Sequence, residues 1–114
     1  MDIVSPEIVS ESADSTKAEF EIRIPANLVY LQGHFPGEPV LPGVVQVHWV
    51  IELARGRFDL KPHFAAIEGL KFHRVIEPDT QLVLTIEYDD AAGKIRFAYT
   101  SGEDTYSQGR VLFG

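Results

Sequence analysis

One segment limits the possible folds more than any other. From Leu41 or Pro42 to about Phe58 the chain carries Val44, Val45, Val47, Trp49, Val50, Ile51, Leu53 and Ala54. Read at helical spacing, the segment is apolar nearly all round, and a helix of that kind is wrapped on most sides by other structure. Its β-branched content would suit a strand equally well. The length, the Pro/Gly loop that feeds it, Pro42 at a first-turn position and Gly56 at its end decide for a helix. The rest of the chain must then supply its cover.

Most of that remainder reads as strand. Lys17 to Ile24 alternates, with Ala18, Phe20, Ile22 and Ile24 on one face and Lys17, Glu19, Glu21 and Arg23 on the other. This is the pattern of a half-buried strand. Glu7 to Ser12 gives a short strand, with Ala13-Asp14-Ser15 as a turn. Ala26 to Gln32 reads as a loop with a helical turn. Phe64 to Val75, Thr80 to Tyr88, Lys94 to Thr100 and Tyr106 to Phe113 continue the strand series, with turns at Asp89 to Gly93 and Ser101 to Asp104. A run of antiparallel strands after one buried helix implies an α+β domain, a curved antiparallel sheet wrapped around one central helix. The 114 residues, 45% hydrophobic, suit one domain spanning 1–114.

The loop before the helix carries the chemistry. Gly33-His34-Phe35-Pro36-Gly37-Glu38-Pro39-Val40-Leu41-Pro42-Gly43 sets a single histidine among prolines that fix φ and glycines that permit close backbone approach. It delivers an imidazole beside a helix N-terminus. A base that titrates near neutrality then sits next to backbone N–H groups able to hold a developing negative charge.

The stretch from Gly33 to Val44 resembles the active-site loop G-H-F-P-G-x-P-x-x-P-G-V of the 3-hydroxyacyl-acyl carrier protein dehydratases of fatty-acid synthesis, which have the hotdog fold. A second, weaker likeness runs from Gly69 to Leu82, where Lys71-Phe72-His73-Arg74-Val75 precedes a Pro78-Asp79 turn. Pro42-Gly43-Val44-Val45-Gln46-Val47-His48-Trp49 is similar to the aryl-polyene and secondary-lipid branch. The resemblance implies dehydration of a 3-hydroxyacyl thioester to the trans-2-enoyl thioester. His34 would be the base at C2, and the Gly43 N–H would polarise the thioester carbonyl, with no cofactor and no metal. Gly43, Val44, Phe35 and Phe72 would bind substrate, with Tyr30 another candidate for an acyl tunnel.

The acid is where the chain departs from that pattern. The family carries Glu or Asp at the helix position held here by His48, and often Gln where this chain has Glu52. Residues one turn apart share a helix face. A carboxylate displaced by one turn would therefore orient an imidazolium that protonates the leaving hydroxyl. The catalytic candidates are His34, His48 and Glu52. The alternative is that His48 is a polar residue satisfied by Glu52 and that dehydration is weak or absent. His63 and His73 lack metal-ligand spacing, and Trp49 reads as core or dimer contact.

Composition narrows the partners. A net charge of −7 argues against general nucleic-acid binding. Arg55, Arg57 and Lys61 after the helix, with Lys71 and Arg74 later, are candidate contacts for an acidic partner such as acyl carrier protein; a coenzyme A thioester is the other carrier. The absence of cysteine rules out disulfide and thiolate chemistry. With no signal-peptide pattern at Met1 to Pro6 and no membrane span, the expectation is a cytoplasmic protein. The resemblance also implies a homodimer or higher oligomer, each site taking His34 from one chain and His48 from the other. Two other functions compete. One is an acyl-thioester hydrolase of the same fold. The other is a non-catalytic acyl-binding or partner subunit.

Overall fold

The computed structural model describes residues 5–25 and 40–114. Its elements follow the order β1 (Glu7–Ala13), β2 (Lys17–Arg23), α1 (Gly43–Arg55), β3 (Phe64–Phe72), β4 (Gln81–Asp89), β5 (Lys94–Ser101) and β6 (Asp104–Phe113). The strands form one antiparallel sheet in the order β1-β2-β4-β5-β6-β3. Helix α1 lies against one face of it, as the hydrophobic pattern requires.

Register explains how the sheet holds the helix. Phe20 pairs with Leu84, Leu84 with Tyr99, and Tyr99 with Ser107, so one row of inward side chains crosses four strands. The next row runs Ala18, Ile86, Phe97, Gly109. Opposite Phe97, a Cβ on Gly109 would lie 3.1 Å from the Phe97 ring, so the missing side chain makes room for an aromatic one. Against these rows α1 buries Val45, Trp49, Val50 and Ala54. Trp49 is thus core.

The turns have local causes. Asp14 accepts hydrogen bonds from the Thr16 and Lys17 N–H groups at 2.8 and 2.9 Å, which closes the β1–β2 connection. The same bonds hold its carboxyl below the usual carboxylate range. Gly102 sits at φ +60° as the first central residue of the tight β5–β6 hairpin, a position that favours glycine.

Three expectations shift. The helix ends at Arg55 rather than near Phe58, because the Arg57 and Phe58 N–H groups both return to the Ala54 carbonyl and Phe58 turns into the core. β3 ends at Phe72 rather than Val75. There the His73 and Arg74 N–H groups both donate to the Tyr106 carbonyl, and the chain leaves the edge. The helix is also less wrapped than its composition suggests. Val44 is 78% exposed, and His48 and Glu52 also face outward. β3 is covered on one side by β6, and its other edge has no strand partner among the described residues.

Asp79 adopts φ +62° after Pro78, with the Thr80 N–H donating to the Glu77 carbonyl at 3.4 Å, as in a type II turn. Its carboxylate meets Arg23 at 2.9 Å. An exposed ion pair contributes about 0–1 kcal/mol, and left-handed backbone costs a non-glycine residue about 1 kcal/mol or more. Asp79→Gly should therefore leave stability within about 1 kcal/mol of the parent or raise it, while Asp79→Ala, which loses the ion pair and keeps the left-handed strain, should lower it by up to about 1 kcal/mol. Urea denaturation checks the order. An alanine variant more stable than the glycine variant would contradict it.

Candidate active site

Gly43 opens α1. The preceding Pro42 has φ −62° and ψ 147° and makes no side-chain cap. The first N–H groups of any helix lack intrahelical acceptors, so this end offers donors and the positive pole of the helix dipole. The Phe72 ring lies directly over Gly43; a Cβ there would sit 2.5 Å from Phe72 Cζ. The sequence gives the glycine to an approaching thioester. In the structure, that space belongs to the tip of a half-exposed phenylalanine.

Two open grooves meet at this contact, each about 460 Å³. One passes Leu41, Pro42 and Gln46 and is rimmed by His73 and Arg74. The other is apolar, formed by Val44, Val47 and Ile51 of α1 with Phe64, Ile67 and Leu70 of β3. His48 lines this second groove, its Nε2 3.1 Å from Glu52 Oε1. Helical spacing therefore brings the two together as expected. Both are about half exposed, so the pair is open to solvent and to any surface that covers the groove.

His34 and Phe35 lie outside the described residues, as does Tyr30. The five basic candidates do not form one patch. Arg55 donates to the Lys61 and Pro62 carbonyls, each at 3.3 Å, and stacks over Phe113. Arg57 pairs with Glu11 and stacks over Phe20. Lys61 shares that end of the sheet, its side chain near Gly93. Lys71 is opposite Gln108, and Arg74 meets Asp104 at 3.4 Å. Phe113 and Asp104 are the two ends of β6, roughly 30 Å apart at strand rise. The division follows from β6 running the length of the sheet, which sequence distance alone does not reveal. Of the five, only Arg74 lines a groove; Lys71 sits between the groove-lining Leu70 and Phe72 and alternates to the other side of β3. Among the described residues no three His, Asp or Glu side chains group to hold a metal ion, and no helix is long and apolar enough to cross a membrane.

Sequence reasoning missed Gln46, Tyr99 and Ser107, all buried. The signal was present. Gln46 shares the inner helix face with Trp49 and Val50. Ser107 falls on the inward alternation that continues to Val111 and Phe113. A polar residue at an inward position needs a partner.

Residues 10–110 match the family model of the ApeI-like dehydratases, described as ApeI dehydratase. A 3-hydroxyacyl-[acyl-carrier-protein] dehydratase FabZ from Caldicellulosiruptor saccharolyticus is 34% identical over 92% of this chain and 82% of its own. One from Pelotomaculum thermopropionicum is 34% identical over 88% and 79%. Among solved structures, the dehydratase heterocomplex ApeI:P from Xenorhabdus doucetiae aligns with a TM-score of 0.88 and 29% identity over 95% of this chain and 96% of that one. The sheet wrapped on one helix is therefore the hotdog fold, and the chain belongs to the ApeI-like dehydratase family.

Proposed function

We propose that this chain dehydrates a 3-hydroxyacyl thioester, carried on acyl carrier protein, to the trans-2-enoyl thioester, as a single hotdog domain acting in the cytoplasm. The observation that carries the reading is His48 in the apolar groove that begins at Gly43, with Glu52 Oε1 3.1 Å from its Nε2. Family membership supplies the reaction class; this pair supplies the acid.

The roles follow from the chemistry. His34 removes the C2 proton. The Gly43 N–H polarises the thioester carbonyl, which makes that proton acidic and holds the charge that develops. His48, protonated and oriented by the Glu52 carboxylate, gives its proton to the C3 hydroxyl, which leaves as water. The C2–C3 double bond takes the electron pair. One imidazole has gained a proton and the other has lost one, and exchange with solvent resets both. Arg74, with Lys71 on the same strand end, would meet an acidic carrier, and Phe72 and Val44 would line the path of the acyl chain.

A second subunit would complete the site. Val44, Phe64, Ile67, Phe72 and Val75 are large apolar side chains left exposed around the edge of β3 that has no strand partner among the described residues. Such an edge invites pairing with another strand. We assign it to a second hotdog subunit, either another copy or a related chain as in the ApeI:P heterocomplex. His34 of one subunit then works with His48 of the other.

His34→Ala should lower turnover by about 10²–10⁴-fold with the fold intact. Near-normal dehydration by the folded variant would end this mechanism. His48→Ala and Glu52→Ala should each slow the reaction, and the double change should cost little more than the worse single one, because groups acting as a unit are non-additive. Multiplicative losses would show separate roles. The family arrangement, His48→Glu with Glu52→Gln, should keep activity.

Sharing of the site has its own test. Inactive His34→Ala and inactive His48→Ala chains, mixed and allowed to exchange subunits, should regain turnover, since one of two sites in each mixed dimer keeps both histidines. Mixtures that stay inactive despite demonstrated exchange would place both histidines of a site within one chain.

A further inference from the structure

The start of α1 is tied to the sheet by a buried polar network that packing alone does not call for. Gln46 is 3% exposed, and Tyr99 and Ser107 are fully buried. The Gln46 Nε2 donates to the Leu41 carbonyl at 3.2 Å. Its Oε1 accepts from Ser107 Oγ at 2.7 Å. Its main-chain carbonyl accepts from the Tyr99 hydroxyl, also at 2.7 Å. The amide orientation has one solution: Leu41 offers only a carbonyl, so the NH₂ must face it and the oxygen must face the hydroxyl.

A carboxamide in this position is costly unless fully bonded, and a leucine of similar size would fill the space without that risk. The network does something an apolar side chain could not. Leu41 is held at its carbonyl by Gln46 and at its N–H by the Ile76 carbonyl, 2.7 Å away. Pro42 follows with φ locked by its ring, and its carbonyl accepts from the Gln46 N–H at 3.2 Å. The next group along the chain is the Gly43 N–H. The two residues before that amide are thus held at the Leu41 N–H, the Leu41 carbonyl and the Pro42 carbonyl, and by the Pro42 ring.

We propose that Gln46 is a positioning residue that, through Ser107 and Leu41, fixes the Gly43 N–H against the sheet at the place the thioester carbonyl must occupy. The inference rests on the dehydratase reading for its kinetic consequence, though not for its structural one. A misplacement of about 1 Å at a reacting group costs on the order of 10²-fold in rate. The Tyr99 bond holds the Gln46 main-chain carbonyl and leaves the side-chain grip on Leu41 untouched, so its loss should matter less.

The test replaces the network with apolar volume. Gln46→Leu with Ser107→Ala should fold and melt at or above the parent temperature, yet lose about 10- to 100-fold in kcat with KM little changed. Ser107→Thr, which keeps the hydroxyl, should retain activity. Tyr99→Phe should fall between. If the double variant fails to fold, Ser107→Ala alone removes the anchor on Oε1 and should show the same kcat loss. Independently of turnover, the ¹⁵N heteronuclear NOE of Gly43 should drop in Gln46→Leu/Ser107→Ala while that of Val50 holds. Wild-type kcat in a folded double variant, or an unchanged Gly43 NOE, overturns the proposal. If the parent protein itself does not dehydrate, the functional reading fails, and the NOE still decides the anchoring.

Discussion

Everything in this molecule depends on one helix being buried by a sheet too small to enclose it. Trp49, Val50 and Ala54 are fully or almost fully buried against rows of side chains from β2, β4, β5 and β6. Burying a side chain of valine size or larger contributes about 1.5–3 kcal/mol, which is what overcomes the poor helix propensity of so many β-branched residues. Six strands cannot wrap the helix completely. The strip from Val44 through His48 to Glu52 stays open beside β3, and the grooves form there.

The proposed site therefore lies where the core leaves the helix uncovered. The same helix presents Trp49 to the sheet and, one residue earlier, His48 to the apolar groove. Gln46 ties its first turn to the sheet from inside, and the Phe72 ring packs on the Gly43 Cα. An imidazole in the family's carboxylate position keeps a carboxylate within reach, one turn along. On the proposed reading, His48 carries the proton and Glu52 keeps a carboxylate on the same helical face.

Much of this was legible in the sequence, for identifiable reasons. Alternation at Phe20 and Ile22, at Leu84 and Ile86, and at Ile95 and Phe97 marked strands and their inward faces, because side chains repeat every second residue. The one-turn spacing of His48 and Glu52 fixed their contact for the same kind of reason. Other features depend on which strands become neighbours. The Gly43–Phe72 approach joins the helix to an edge strand. The Gln46–Ser107 bond joins it to the last strand. The division of Arg55 from Arg74 reflects the length of β6. Local pattern carries no register between distant segments, so these contacts had to be seen. The ends of α1 and β3 shifted because backbone donors found acceptors at Ala54 and Tyr106, which propensity does not register.

The central claim is that this site removes water from an acyl thioester. It is tested most directly by giving the purified protein a 3-hydroxyacyl thioester on acyl carrier protein and following enoyl-thioester formation and free thiol together. The account predicts the trans-2-enoyl thioester, equilibrium approached from either side, and no thiol released above background. Thiol release without enoyl product would make the protein a thioesterase. Acyl binding with neither product would make it a partner subunit, and either result would contradict the account.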